Sequence, residues 1–232
     1  MTLLLSTTGR AFQLRMRAAA NTTCIDATAV LVAPKQARSI RAEHCNLLSV
    51  NVEPGHPRYH ALQDRLQGAA AVVFDDLHFS GLRDELGSLF NVGLASPLAA
   101  PAIDAALEAA SGSALKHTPR DDRVADVLAC VHASLPERPT LQRLGSMVGL
   151  SEDRLSHLFA DTIGMPLRSY VVWQRYRLAL EQISRAERLT TLASRCGFSD
   201  AAHMTRTFVE FFGFSPSLVL RSGFMQYLAP PE

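Results

Sequence analysis

The sequence predicts an α+β chain. A small N-terminal antiparallel β part with helices precedes an all-α part, which holds two helix-turn-helix units joined by a long helix. Three observations carry this. The first stretch, up to about Val52, is rich in β-branched residues and alternates apolar with polar side chains. From about Asp121 the apolar residues recur three and four apart instead. Within that second stretch one punctuated pattern occurs twice, as LQRLGSMVGLSEDRLSHLFADTIGMP (Leu141–Pro166) and LTTLASRCGFSDAAHMTRTFVEFFGFSP (Leu189–Pro216).

AFQLRMR alternates as a half-buried strand does. DATAVLVAP is an apolar run closed by Pro34, and QARSIRAEHCNLLSVNVEP alternates loosely until Pro54-Gly55. Together they suggest roughly four to six strands. Helical texture follows in RYHALQDRLQG, SGLRDELGSLF and SPLAAPAIDAALEAA, with Ser96 and Pro97 as a helix start. Gly112 and the polar SGSALKHTPRDD mark a linker, so the expected domains are residues 1–115 and 120–228. DDRVADVLACVHASL reads as one amphipathic helix, with two acids at its positive end and Pro136 just past it.

Bulk properties narrow the function. The chain has 232 residues, a 47% hydrophobic content and a net charge of +1. Near-neutrality is compatible with nucleic-acid binding, which needs only one positive face. Cys24, Cys45, Cys130 and Cys196 lack CxxC spacing, which argues for reduced thiols rather than a disulfide framework or a zinc site. No apolar run is long enough to span a bilayer, and the charges of MTLLLSTTGRAFQLRMR follow its apolar stretch, the reverse of a secretory signal. A cytoplasmic protein without membrane attachment is expected.

Each repeated pattern has a leading helix, a glycine turn, a capping residue and a second helix. That is the unit that sets a recognition helix into the major groove of double-stranded DNA. In the first, Leu141, Leu144, Met147 and Val148 form the expected buried face, Gly145 allows a close approach, Gly149 turns and Ser151 caps. Leu155, Leu158 and Phe159 point inward, leaving Glu152, Asp153, Arg154, Ser156, His157 and Ala160 toward the groove. In the second, Leu189, Leu192 and Ala193 pack, Gly197 turns and Ser199 caps. Met204, Phe208 and Phe211 or Phe212 point inward, leaving Ala201, Ala202, His203, Thr205 and Arg206 to read. The glycines bounding the second unit, Gly197 and Gly213, enclose one residue more than Gly149 and Gly164 do, and the extra residue precedes Met204. PLRSYVVWQRYRLALEQISRAE is the expected connecting rod, with Pro166 at its start. Its Arg168, Arg175, Arg177 and Arg185 supply positive charge, and Arg175 is a candidate DNA contact.

RLTTLASRCGFSDAAHMTRTFVEFFGFSPSLVLR resembles the signature segment of the AraC family of bacterial transcription regulators: glycine-phenylalanine, a capping Ser, an apolar-x-Arg-x-Phe helix, Gly, then Pro and Arg. The resemblance covers about Asp121 to Gly223, and WQRYRLAL is also family-like. It implies seven helices carrying the two units, a homodimer, and RNA polymerase as a further partner. This sequence departs from the family where an Arg and a Lys usually flank the inward pair of the first recognition helix. Here those positions hold His157 and Ala160, and the usual Lys of the second helix is Val209, followed by Glu210; Arg206 is kept. Residues 120–228 hold 13 Arg and no Lys against 11 acids. Fewer phosphate contacts mean weaker binding with a flatter salt dependence, and a weakly reading first unit. Arg206 is the best candidate for a guanine contact.

The family resemblance makes the first half a sensor for a small-molecule effector or a dimerisation part. AFQLRMR and TAVLVAPKQARSIRAEHCNLLSVNVEP look like the later part of its cupin-like effector domain. Pro34 is followed by Lys35, Gln36 and Ala37 where a His is frequent, and the His-rich stretch that commonly comes first is absent. His44, His56, His60 and His78 form no HxH or HxxxE pattern, so no metal and no cofactor is expected. The chain carries no Ser-His-Asp arrangement, phosphate loop or dinucleotide fingerprint, and no catalytic residue is expected.

Overall fold

The computed structural model describes residues 1–17, 22–92, 97–112, 121–183, 188–213 and 215–221. Its backbone contacts separate into two units. One runs from Met1 through the N-terminal strands and helices and takes in the chain from Phe208 onward; the other is the helical stretch up to Thr207.

The N-terminal strands among the described residues are β1 (Thr2–Ser6), β2 (Phe12–Arg17), β3 (Thr22–Ala27), β4 (Ala29–Val32), β5 (Arg38–Arg41), β6 (Leu47–Asn51) and β7 (Ala71–Val73). They form two antiparallel sheets, ordered β6-β1-β4-β7 and β3-β2-β5. In the first, Leu3 lies opposite both Leu31 and Val50; in the second, Leu14 lies opposite both Ile25 and Ile40. TLLLS is buried along its whole length, which explains its continuous apolar run in place of alternation. Leu4, Val30 and Val32 of one sheet and Phe12, Leu14, Met16 and Ala27 near the other join in one core cluster. The space between the sheets is therefore filled by side chains.

Helices α1 (Tyr59–Leu66), α2 (Arg83–Val92) and α3 (Ala99–Ser111) follow. Arg58, just before α1, pairs with Glu108 of α3 at 2.9 Å. The run AVV, between the first two segments read as helical, forms β7 beside β4, because its β-branched valines complete the sheet edge. The third helix begins at Ala99 after Pro97 and Leu98 rather than at Ser96-Pro97; Pro101 falls in its first turn, where its missing N–H costs nothing. Ser96 itself, the linker centre near residue 115 and Arg185 lie outside the described residues.

Seven helices are described from Asp122 onward: α4 (Asp122–Ser134), α5 (Leu141–Val148), α6 (Glu152–Ile163), α7 (Leu167–Gln182), α8 (Leu189–Arg195), α9 (Ala201–Phe212) and α10 (Pro216–Arg221). Asp121 caps α4 by accepting from Arg123 N, as its leading acids suggest. Phe159 of α6 meets Tyr170 of α7 edge to face at 5.4 Å, and Trp173 stacks on Tyr176 at 5.9 Å. Tyr176 is completely buried, so the connecting helix is anchored by aromatics on its inner side.

Candidate nucleic-acid interface

The two helix-turn-helix units are built on one plan. Gly149 and Gly197 close the leading helices with φ of 67° and 76°, and Gly164 and Gly213 follow the second helices at 81° and 80°. These left-handed conformations favour glycine at each punctuation point. α6 and α9 are both 12 residues long.

In the first unit, Thr140 Oγ1 accepts from Arg143 N to cap α5, and Ser151 Oγ accepts from Arg154 N to cap α6. A Cβ on Gly145 would lie 2.5 Å from Leu150 O, so the close approach is to the backbone of the turn itself. Leu155, Phe159 and Ile163 of α6 are buried. Met147 departs from expectation: it is 47% exposed, because the inner face of α5 narrows to Leu144 and Gly145 at the turn. The outer face of α6 exposes Glu152, Asp153, Arg154, His157 and Asp161, with Ser156 half-buried.

In the second unit, Leu192 and Ala193 are buried in α8, and Met204, Phe208 and Phe211 are buried in α9. Ala202 and Arg206 are exposed, while Ala201, His203 and Thr205 are half-buried. The hydroxyl of Thr205 donates back to Ala201 O at 2.8 Å. Asp200, rather than Ser199, caps α9: its Oδ1 accepts from His203 N at 2.6 Å. This accounts for the extra residue of the second unit, which sits in the turn and leaves helix length unchanged. Ser199 Oγ instead lies 3.1 Å from both Asp200 Oδ2 and His203 Nδ1. The His203 N–H holds the Asp200 carboxyl below its usual range, with smaller help from Ser199, Ala202 and Arg206.

Arg175 of α7, a candidate DNA contact by sequence, has donors turned to the scaffold. Its Nε donates to Pro136 O at 3.0 Å and its Nη1 to Gly197 O at 2.7 Å. Burial, and then the charge of Arg138, disfavours its protonated form. Sequence reasoning missed this brace and the Asp200 cap. An Asp three residues before His203 was the available signal for the cap; nothing local announced the brace. Arg177 pairs with Glu181 one turn on, at 3.9 Å.

Outside these units, the outer side of β2 and β5 carries an open hollow of about 260 Å³ lined by Gln13, Arg15, Ser39, Ile40 and Arg41. His56 Nδ1 accepts from Arg58 N at 3.1 Å, and burial pushes its pKa below the usual imidazole range. No group of three or more His, Cys, Asp or Glu among the described residues could hold a metal ion, and no described helix is long and apolar enough to cross a membrane.

The family described as a helix-turn-helix domain matches residues 144–222, which take in the second unit and the first from Leu144 onward. The C-terminal part of this chain is an AraC-type helix-turn-helix domain. Among relatives of this AraC-type domain, an uncharacterized HTH-type transcriptional regulator, YidL of Escherichia coli (strain K12), is 28% identical over 108 residues, 46% of this chain and 36% of that protein. Another, from Staphylococcus aureus (strain MRSA252), is 33% identical over 97 residues, 41% of this chain and 13% of that protein. The chain thus spans about a third or less of the length of these relatives. Among solved structures, ToxT from Vibrio cholerae O395 matches with a TM-score of 0.52 at 11% identity, covering 94% of this chain and 87% of that one. At that identity the likeness shows the fold: antiparallel strands first, then the AraC-type helices.

Proposed function

We propose that this chain is a sequence-specific regulator of transcription that binds double-stranded DNA, with the second helix-turn-helix unit as its principal reader. The observation that carries the reading is the outer face of α9, where the exposed Arg206 guanidinium stands one turn beyond His203 on a helix held by its cap and its buried apolar side. Arg is the side chain best suited to guanine O6 and N7. Ala201, Ala202 and Thr205 line the same approach, and α6 supplies Asp153, Arg154, Ser156 and His157. Arg175 acts as a positioning residue for the Gly197 turn. The proposed domains are residues 1–115 and 120–228, the first a cupin-like part that tunes activity through a small-molecule effector or dimerisation. RNA polymerase is the proposed further partner, and the cytoplasm the proposed site of action.

The test is a gel-shift titration with a labelled promoter fragment from beside the gene. Binding is expected to weaken as salt rises, and Arg206→Ala is expected to cost about 1–3 kcal/mol. Wild-type affinity in that variant removes Arg206 from the reading face. The acidic outer face of α6, with Glu152, Asp153 and Asp161 exposed, supports a second reading: a co-regulator acting mainly through protein contacts. A folded chain without measurable affinity for random duplex at low salt favours that alternative.

A further inference from the structure

The start of α9 contains a short hydrogen-bond chain that decides what His203 presents outward. Asp200 Oδ2 and Ser199 Oγ are 3.1 Å apart, and Ser199 Oγ is 3.1 Å from His203 Nδ1. An ionised carboxylate only accepts, so the single hydroxyl hydrogen of Ser199 goes to Asp200. Ser199 Oγ is then left to accept, and the hydrogen of the second contact belongs to His203 Nδ1. This assignment rests on the network, as hydrogen positions in proteins do.

The imidazole is also held sideways. The Phe198 ring stands edge-on to it, with centroids 5.6 Å apart and planes at 79°. The backbone N–H of His203 donates to Asp200 Oδ1, so one carboxylate holds the His203 backbone directly and reaches its ring only through Ser199. His203 Nε2 has no partner among the described residues.

From this geometry we infer that His203 is a specificity-determining residue that reads a base-edge amine, as a hydrogen-bond acceptor through Nε2. In a neutral imidazole, a hydrogen on Nδ1 leaves Nε2 with a lone pair. Donors in the major groove are the N4 amine of cytosine and the N6 amine of adenine; guanine and thymine offer acceptors there. Phosphate oxygens are acceptors as well, so the same tautomer turns His203 away from a backbone role. Arg206, three residues on, presents donors on the same side of the helix. α9 thus shows an acceptor and a donor group side by side, and Ser199 and Asp200 act as positioning residues behind the acceptor.

The assignment rests on the DNA-binding reading above, and the test separates the two. Long-range ¹H–¹⁵N correlation on the labelled full chain reads the tautomer without DNA. The Nδ1–H form is expected in the wild type and its loss in Ser199→Ala, which keeps the Asp200 cap. An Nε2–H wild type overturns the inference. Selection from random duplexes with wild type and His203→Ala supplies the second arm. One position is expected to lose a preference for cytosine or adenine in the variant. Deleting the amine there, with pyrimidin-2-one or purine as the base, is expected to weaken the wild type roughly two- to tenfold and the variant not at all. A preference for guanine or thymine on the read strand, or equal losses in both proteins, overturns it. If the wild type selects no duplex while its ring is Nδ1–H, the DNA-binding reading has failed and takes this assignment with it.

Discussion

Gly145→Ala sets helix propensity against tertiary packing, and the two predict opposite signs. In an isolated helix, alanine is favoured over glycine by about 1 kcal/mol. Here the new Cβ would lie 2.5 Å from Leu150 O, about 0.9 Å inside the 3.4 Å at which contact becomes ordinary. The obstacle is backbone, and it belongs to the turn that Leu150 N closes by donating to Gly145 O at 2.9 Å. Overpacking of this kind costs about 1–3 kcal/mol, and loosening the turn bond adds about 1 kcal/mol. Against the propensity gain, the net expectation is a loss of about 2 kcal/mol. For a unit of roughly 90 residues that is a fall of about 8–16 °C in melting temperature. Trp173, the single tryptophan, is buried in α7 and reports unfolding of the helical unit through its fluorescence. Gly87→Ala is the contrast: it lies inside α2, its nearest neighbour would be Thr7 at 3.9 Å, and a gain of about 0.5–1 kcal/mol is expected by calorimetry. A Gly145→Ala protein as stable as the wild type, or more stable, would refute the packing argument, since the close approach to Leu150 O would then cost no more than the propensity gain offsets.

Arg175→Lys is expected to lower stability by about 2 kcal/mol, because an ammonium cannot reproduce the fork onto Pro136 O and Gly197 O. The charge-removing Arg175→Gln should leave the slope of log affinity against log salt unchanged; a decrease of about one in that slope would assign Arg175 to a phosphate. The Cys196 thiol is buried and its pKa is pushed up to about 11, whereas Cys24 is exposed. A thiol reagent at neutral pH is therefore expected to label Cys24 early and Cys196 only on unfolding, with mass spectrometry as the check. The Asp200 carboxyl has a lowered folded pKa, so its contribution to stability is present above the ordinary carboxylate value of 3.8 and is lost as pH falls through the folded pKa. The His203 amide shift should titrate in that acidic window in the wild type and stay flat there in Asp200→Ala.

Sequence periodicity alone carried the element types of the helical half. Turn glycines, caps and apolar faces are local requirements, and a repeated local requirement is readable from one chain. Gly149, Gly164, Gly197 and Gly213 were legible for this reason, as were Ser151, Phe159, Met204 and Phe208. So was the contrast between the acidic outer face of α6 and Arg206 on α9. Local rules became ambiguous where two residues could play one role. Ser199 and Asp200 are both good caps, and only the positions of their oxygens assign Asp200 to the helix and Ser199 to the histidine ring.

Tertiary structure decided what depends on partners distant in the chain. β7 is three residues long, too short for its own periodicity to announce, and exists because β4 offers an edge. Arg175 looks like an available cation on a helix surface until the carbonyls of Pro136 and Gly197, separated from it by 39 and 22 residues, take its donors. Met147 fits the apolar rhythm of α5, yet the close approach at Gly145 leaves it in solvent. The sequence by itself determined the repeated scaffold, because each turn and cap is satisfied within a few residues. Which polar groups remain for a partner was settled only by the folded chain, because a side chain is available for recognition only after the backbone groups around it have been satisfied.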